Sequence, residues 1–280
     1  MTRAALVLAG LVTVGALVLP LHAQRGAPQN KPSEVDQLLF DLANSMGMLR
    51  GLQQEDSIIT LEQWGGGTVT VGQQRTEVAE FRMSVNYAVP GMRIDATHKG
   101  AQPARQILVV SGTTAWNETE RGLNATPAPD HLQDCLVMLW TTPMGIVKAA
   151  RAAGARATVT RQGNDTVLSF PLPAPVADVR VSATVRRDAS LVRPSAEALK
   201  NLVGAYVTRV VTTGGLASET TFAEYGDWNW DDYKADVMLP RRFVRRSGDT
   251  TLDLTIKNTN TYNPYVVMPV PANLRAPASR

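Results

Sequence analysis

Apolar residues recur at three- and four-residue spacing through Val35, Leu38, Leu39, Leu42, Met46 and Leu49, the stripe of an amphipathic helix. Ser33 stands where an N-cap belongs, Asp36 takes the acidic position of a capping box, and Arg50-Gly51 suit a C-terminus. The period then drops from 3.6 to 2. Residues 57–64 read as a strand, Gly65-Gly66-Gly67 as a bend or bulge in it, and Thr68 to Val71 as its continuation. Phe81, Met83, Val85, Tyr87 and Val89 share one face of a strand whose other face carries Arg82, Ser84 and Asn86. Ile107 to Val110 run into the turn Ser111-Gly112-Thr113 and out through Ala115-Trp116-Asn117, the punctuation of a hairpin.

The middle of the chain returns to helical spacing. Asp130 is placed to cap a helix running through Trp140, on which Leu132, Cys135, Leu136 and Leu139 share a face. Thr142-Pro143 supplies an N-cap followed by Pro in the first helical position, and Gly154 follows Lys148 and Arg151 at the far end. Strands resume with Val179, Val181, Ala183 and Val185 opposite Arg180, Ser182, Thr184 and Arg186. Residues 206–213, 220–225, 240–246 and 251–258 follow as further strands, the last with Leu252, Leu254 and Ile256 on one face. The order helix, strands, helix pair, strands predicts an α+β fold: a strongly curved antiparallel sheet, an incomplete β-barrel, with the N-terminal and middle helices over its concave face. Such an arrangement leaves room for a pocket between helices and sheet.

The 280 residues are 44% hydrophobic and 19% charged, enough to bury a core with no disulfide or metal staple. The formal net charge of +3 gives no polyanion-binding field, so nucleic acid is an unsuitable partner. Met1-Thr2-Arg3, the apolar run Ala4 to Leu19, Pro20 and Leu21-His22-Ala23 form the three parts of a secretory leader cleaved after Ala23. The alternative is a retained N-terminal anchor. Residues 24–32 read as a linker, 33–271 as a single domain and 272–280 as a C-terminal tail. Cleavage leaves no expected transmembrane segment, and the protein is expected in the periplasm or outside the cell. One Cys in the chain excludes an internal disulfide, and its apolar helical setting makes Cys135 a buried hydrophobe rather than a reactive thiol.

Chemistry-bearing patterns are sparse. Apart from His22 in the leader, only His98 and His131 occur, neither at metal-ligand spacing from a Cys or from the other. His98 reads as an exposed residue of the turn Thr97-His98-Lys99-Gly100, and His131 as an exposed residue at a helix start. No nucleophile elbow, phosphate loop or dinucleotide fingerprint is present. Asp227-Trp228-Asn229-Trp230-Asp231-Asp232 spaces its oxygens like the opening of a calcium loop, but Asp232 stands where Gly is needed and Met238 where a bidentate Glu is needed. An exposed connection is the simpler reading. Arg241, Arg242, Arg245 and Arg246 flank Phe243-Val244 and suit either an anionic partner or a charged edge strand. Trp64, Trp116, Trp140, Trp228 and Trp230 are candidates for a pocket lining or for plain core. No catalytic, metal or cofactor residue is assigned.

The phrases Tyr225-Gly226-Asp227 to Tyr233, Val237-Met238-Leu239-Pro240-Arg241-Arg242-Phe243, Leu252 to Asn258 and Met268-Pro269-Val270-Pro271 resemble the closing strands of the outer-membrane lipoprotein-carrier family. That family's fold is an incomplete barrel with a helical lid over an apolar cavity. Ala115-Trp116-Asn117-Glu118, Leu139 to Gly145 and Lys148-Ala149-Ala150 resemble the region preceding a metallo-β-lactamase-type domain in some exported bacterial hydrolases. No His-x-His-x-Asp-His motif is present, so the resemblance implies the carrier-like part alone. It implies a non-enzymatic protein, without cofactor, that binds a lipid, acyl chain or lipidated peptide. The alternative is an envelope protein-protein interaction module docking through a sheet edge.

Overall fold

The computed structural model describes residues 32–50, 52–53, 55–100, 104–191, 204–228 and 237–275; the leader-like segment, most of the linker and residues 276–280 of the tail lie outside them. The first helix, α1 (Glu34–Ser45), begins as its pattern predicts. Ser33 Oγ accepts from the Asp36 amide at 3.0 Å and donates to the Asp36 carboxylate at 2.7 Å. The helix stops at Ser45, not at Arg50 as the spacing suggested. Gly47 adopts a φ of 67°, and the amides of Gly47 and Met48 turn back onto the carbonyls of Asn44 and Ala43 at 3.0 and 2.9 Å, closing the helix in a Schellman motif. Residues beyond it form β1 (Leu49–Arg50), paired with β2 (Glu55–Asp56).

The remaining strands make one antiparallel sheet of thirteen strands. One meander comprises β3 (Thr60–Val71), β4 (Gln74–Asn86), β5 (Gly91–His98), β6 (Ala104–Ser111), β7 (Thr114–Glu118) and β8 (Thr126–Pro127). The other comprises β9 (Thr158–Gln162), β10 (Asp165–Pro171), β11 (Val179–Arg187), β12 (Ala205–Gly214), β13 (Ser218–Asp227), β14 (Met238–Ser247) and β15 (Thr250–Asn260). The last strand pairs with β3, so the meanders fuse at the centre while β8 and β9 remain as unpaired edges of an open sheet. Between those edges the chain crosses through a 3₁₀ turn (Pro129–His131), α2 (Leu132–Trp140) and α3 (Pro143–Ala153). The helix pair therefore spans the mouth of the curved sheet, α2 packing toward β5 and β6 and α3 toward β10. The fold is α+β, an incomplete antiparallel barrel with helices over its concave face.

Local chemistry explains most of the element ends. Thr142 caps α3 by accepting from the Gly145 amide at 3.1 Å, with Pro143 in the first turn and Gly154 at φ 56° past the end. Asp130 does not cap α2; it sits within the 3₁₀ turn, and the residue before α2, His131, makes no side-chain cap. β4 ends at Asn86, and Val89 sits in the following turn with 66% of its surface exposed, not on the buried face. β3 is continuous from Thr60, with a register shift at Gly65–Gly67. A Cβ on Gly65 would collide with the Thr255 carbonyl of the neighbouring strand and with the Phe81 ring, which is why the bend takes glycine. β5, β9 and β10 add strands that the alternation did not predict.

Two apolar clusters result. The larger joins α1, α2 and α3 to the inner face of the sheet through residues such as Leu42, Phe81, Leu136, Ile146, Phe170 and Tyr225. The smaller lies on the outer face, where Val266 and Met268 of the segment after β15 cover Ile107, Val109 and Trp116. Polar ties fix that segment: Thr60 Oγ1 donates to the Asn263 carbonyl at 2.9 Å, Asn86 Nδ2 to the Val266 carbonyl at 2.8 Å, and Asn273 Nδ2 to the Ala125 carbonyl at 3.0 Å.

Candidate functional site

Alternation along six strands and the curvature of the sheet place a cavity of about 390 Å³ under α2, within the size range of small-molecule sites. Val69, Val78, Phe81, Met83, Ile94, Ala96 and Leu108 from β3 to β6 form one wall, and Phe243, Leu252 and Leu254 from β14 and β15 the other. Cys135 and Met138 of α2 form the roof. β5, β6, β14 and β15 give the cavity alternate residues; on the other side of the sheet Thr68, Asp253 and Thr255 border a shallow, open depression of about 820 Å³. That depression carries charges of both signs, including the bidentate Arg242–Asp253 pair at 2.9 and 2.8 Å, and suits solvent rather than an apolar ligand.

Among the described residues the cavity wall holds one carboxylate and one guanidinium, and they are joined. Arg245 donates to Asp134 across the gap between β14 and α2, at 2.6 Å from Nη2 and 3.5 Å from Nη1. The Arg245 side chain is 4% exposed and that of Asp134 37%. Burial pushes the Cys135 thiol up to about 12, the Asp134 charge adding to the shift and Arg245 opposing it. The thiol therefore stays protonated and is no nucleophile at neutral pH. Tyr87 is likewise held protonated by burial, with its hydroxyl 2.8 Å from Thr142 Oγ1.

His98 and His131 both line this cavity. His98 is the last residue of β5 and His131 the last of the 3₁₀ turn. His98 is half-buried at the end of a strand, which corrects the expectation of an exposed turn residue, whereas His131 is exposed at the helix start as expected. That both line one cavity depends on pairing across the sheet, which local spacing does not encode. Among the described residues no group of three His, Cys, Asp or Glu side chains could hold a metal ion.

The other sequence candidates disperse. The arginine strand is not an edge: β14 lies between β13 and β15. Arg241 stacks on Trp228 at 4.3 Å, Arg242 pairs with Asp253, and Arg245 turns inward, so the four do not form one anion-binding face. None of the four described tryptophans lines the cavity. Trp116 is fully buried in the outer cluster, Trp140 packs 6.5 Å from Tyr87, and Trp64 lies under Arg82 at 5.0 Å. Trp230 and most of the calcium-like stretch lie outside the described residues. Among the described residues no helix is long and apolar enough to cross a membrane.

No family model and no curated protein matches the sequence. Two solved structures are similar in chain path. The crystal structure of the LolA superfamily protein NE2245 from Nitrosomonas europaea matches at 7% identity over 79% of this chain and 92% of that one, with a TM-score of 0.40. The crystal structure of LprF from Mycobacterium bovis matches at 12% identity over 85% of this chain and 98% of that one, with a TM-score of 0.31.

Proposed function

We propose that this chain is an exported, non-enzymatic binding protein that holds an apolar or amphipathic ligand, a lipid or acyl chain, between its curved sheet and α2. The observation that carries this reading is the cavity of about 390 Å³, whose walls are mainly aliphatic, aromatic and thioether side chains and whose two charges neutralise each other. Apolar burial at about 25 cal/mol per Å² is the driving term, and the costs of association are set against it. Export rests on the leader-like pattern of residues 1–23.

The test uses an uncharged apolar fluorophore, N-phenyl-1-naphthylamine, whose emission rises on leaving water. The wild-type protein is expected to take it up with micromolar affinity. Ala96, which faces Phe81 across the β4–β5 pair and lines the cavity, is the position to fill: Ala96→Trp is expected to abolish uptake while the far-ultraviolet circular dichroism is retained. No uptake by the wild type, or equal uptake by a folded Ala96→Trp variant, overturns the reading. Solvent extraction and mass spectrometry of protein purified from a bacterial envelope would then identify the natural ligand.

A further inference from the structure

The polar groups of the cavity are gathered at one end. His98 pairs with Ala104 where β5 ends and β6 begins, and Gln106 lies two positions further along β6. Ser247 pairs with Thr250 at the β14–β15 turn, and Thr250 pairs with Val71 at the end of β3. These hydrogen-bonding groups, with His131 from the turn before α2, line one end of the cavity. Farther in lie Phe81 and Met83 of β4 and Leu254 of β15. The wall thus runs from polar to apolar, and an amphipath fits it with its head at the polar end and its chain inside.

The charge arrangement selects among heads. Among the described residues Asp134 and Arg245 are the only carboxylate and guanidinium in the wall, paired at 2.6 Å, and the buried Arg245 Nε makes no hydrogen bond. A carboxylate or phosphate entering the site gives up water and meets a guanidinium whose charge is already paired with Asp134, which opposes its binding. A hydroxyl or ester keeps its hydrogen bonds at the polar end and carries no charge to desolvate. We infer that the ligand is a single-chain amphipath with a neutral, hydroxylated head, of the monoacylglycerol class, and that the site discriminates against free fatty acids. The inference rests on the binding function proposed above and names its ligand class.

Calorimetric titration at pH 8, below the aggregation concentrations, compares 1-monolauroylglycerol with laurate, which is ionised there. The glycerol ester is expected to bind the wild type at least about tenfold more tightly. Asp134→Asn frees the Arg245 charge and is expected to raise laurate affinity about tenfold, reversing or erasing the preference. Arg245→Gln leaves Asp134 alone and is expected to weaken laurate further relative to the ester. The opposite signs keep the test decisive if one variant does not fold. Laurate binding the wild type as tightly as the ester, or failing to shift in the direction given for a folded variant, overturns the inference. Uptake of N-phenyl-1-naphthylamine separates the levels: if the fluorophore binds and laurate is preferred, the head-group inference alone falls. If neither the fluorophore nor either amphiphile binds, the binding function falls with it.

Discussion

Replacing Glu62 by Gln tests how the outer face of the sheet is held. Glu62 is 2% exposed on β3. One carboxylate oxygen accepts from Arg82 at 2.6 and 3.1 Å and from Ser84 at 2.9 Å, and the other accepts from Asn263 Nδ2 at 2.8 Å. A glutamine presents an amide where one of those donors points. If its oxygen serves Arg82 and Ser84, its NH₂ meets the NH₂ of Asn263. Rotating Asn263 sacrifices the bond its own carbonyl oxygen accepts from the Tyr265 amide at 3.0 Å. Charge-assisted bonds of this kind contribute roughly 1.5–3 kcal/mol each, but the Arg82 side chain is 34% exposed and rehydrates. The expected loss is therefore about 2–3 kcal/mol at pH 7, roughly 5–10 °C in Tm for a domain of this size.

The pH dependence has a definite sign. Burial, the largest single influence, raises the Glu62 pKa, but hydrogen bonds from Asn263, Arg82 and Ser84 and the Arg82 charge together hold it below its ordinary value of 4.5. A carboxylate depressed in the folded state stabilises fully above the unfolded value and loses that contribution as pH falls below it. Urea denaturation of both proteins should thus show a gap at pH 7 that narrows below about pH 4.5. Hydrogen exchange at the Tyr265 amide should quicken in the variant. A loss under about 0.5 kcal/mol, the ordinary scatter of surface substitutions, or a gap unchanged by acid would refute the reasoning. Glu77→Gln is the control, since the Lys99–Glu77 pair is 60% and 55% exposed and contributes little.

Three other expectations follow from single side chains. Thr142→Val removes the α3 cap and leaves the buried Tyr87 hydroxyl without the oxygen it approaches at 2.8 Å; a loss of about 2–4 kcal/mol is expected in thermal or urea unfolding. Cys135 should resist thiol reagents at pH 8 and react with one equivalent after denaturation, since burial pushes its thiol up to about 12. Because the unfolded thiol ionises near pH 9 while the folded one keeps its proton, wild type should lose stability relative to Cys135→Ala by about 1.4 kcal/mol per pH unit above pH 9; parallel pH profiles would refute it. Gly65→Ala should fold poorly or lose several kcal/mol, measured by urea midpoint, because its Cβ meets the Thr255 backbone rather than a movable side chain.

What the sequence made legible follows from which faces meet water. β11 shows strict alternation because Arg180, Ser182 and Arg186 are exposed while Val179, Val181, Ala183 and Val185 are buried, so the period-2 pattern survives in composition. β9 is exposed at four of its five positions and carries no apolar face to betray it. β5 alternates Met92, Ile94 and Ala96 with Arg93, Asp95 and Thr97, but its outer face is half covered: Asp95 accepts from Arg105 and Arg121 at 2.8 Å, and Arg93 donates to Glu118 at 3.2 and 3.1 Å. Capping chemistry located the starts of α1 and α3, because Ser33 and Thr142 act within their own first turn.

The site itself belongs to a different order of information. His98 and His131 line one cavity only because β5 runs beneath α2, and Asp134 meets Arg245 only because β15 pairs with β3 and brings β14 beside the first meander. Read locally, Arg245 is one of four arginines on a charged strand, and Asp134 an unremarked acid beside a cysteine. The alternation does place Phe243 and Arg245 on one face of β14, opposite Arg242 and Val244, and that face is the buried one. A basic residue in phase with apolar neighbours on an interior strand requires a partner of opposite charge; the half-exposed acid across the cavity supplies it. The same pairing ties the carboxylate and the guanidinium of the wall to each other, and on that pairing, more than on the apolar area, the proposed head-group preference stands or falls.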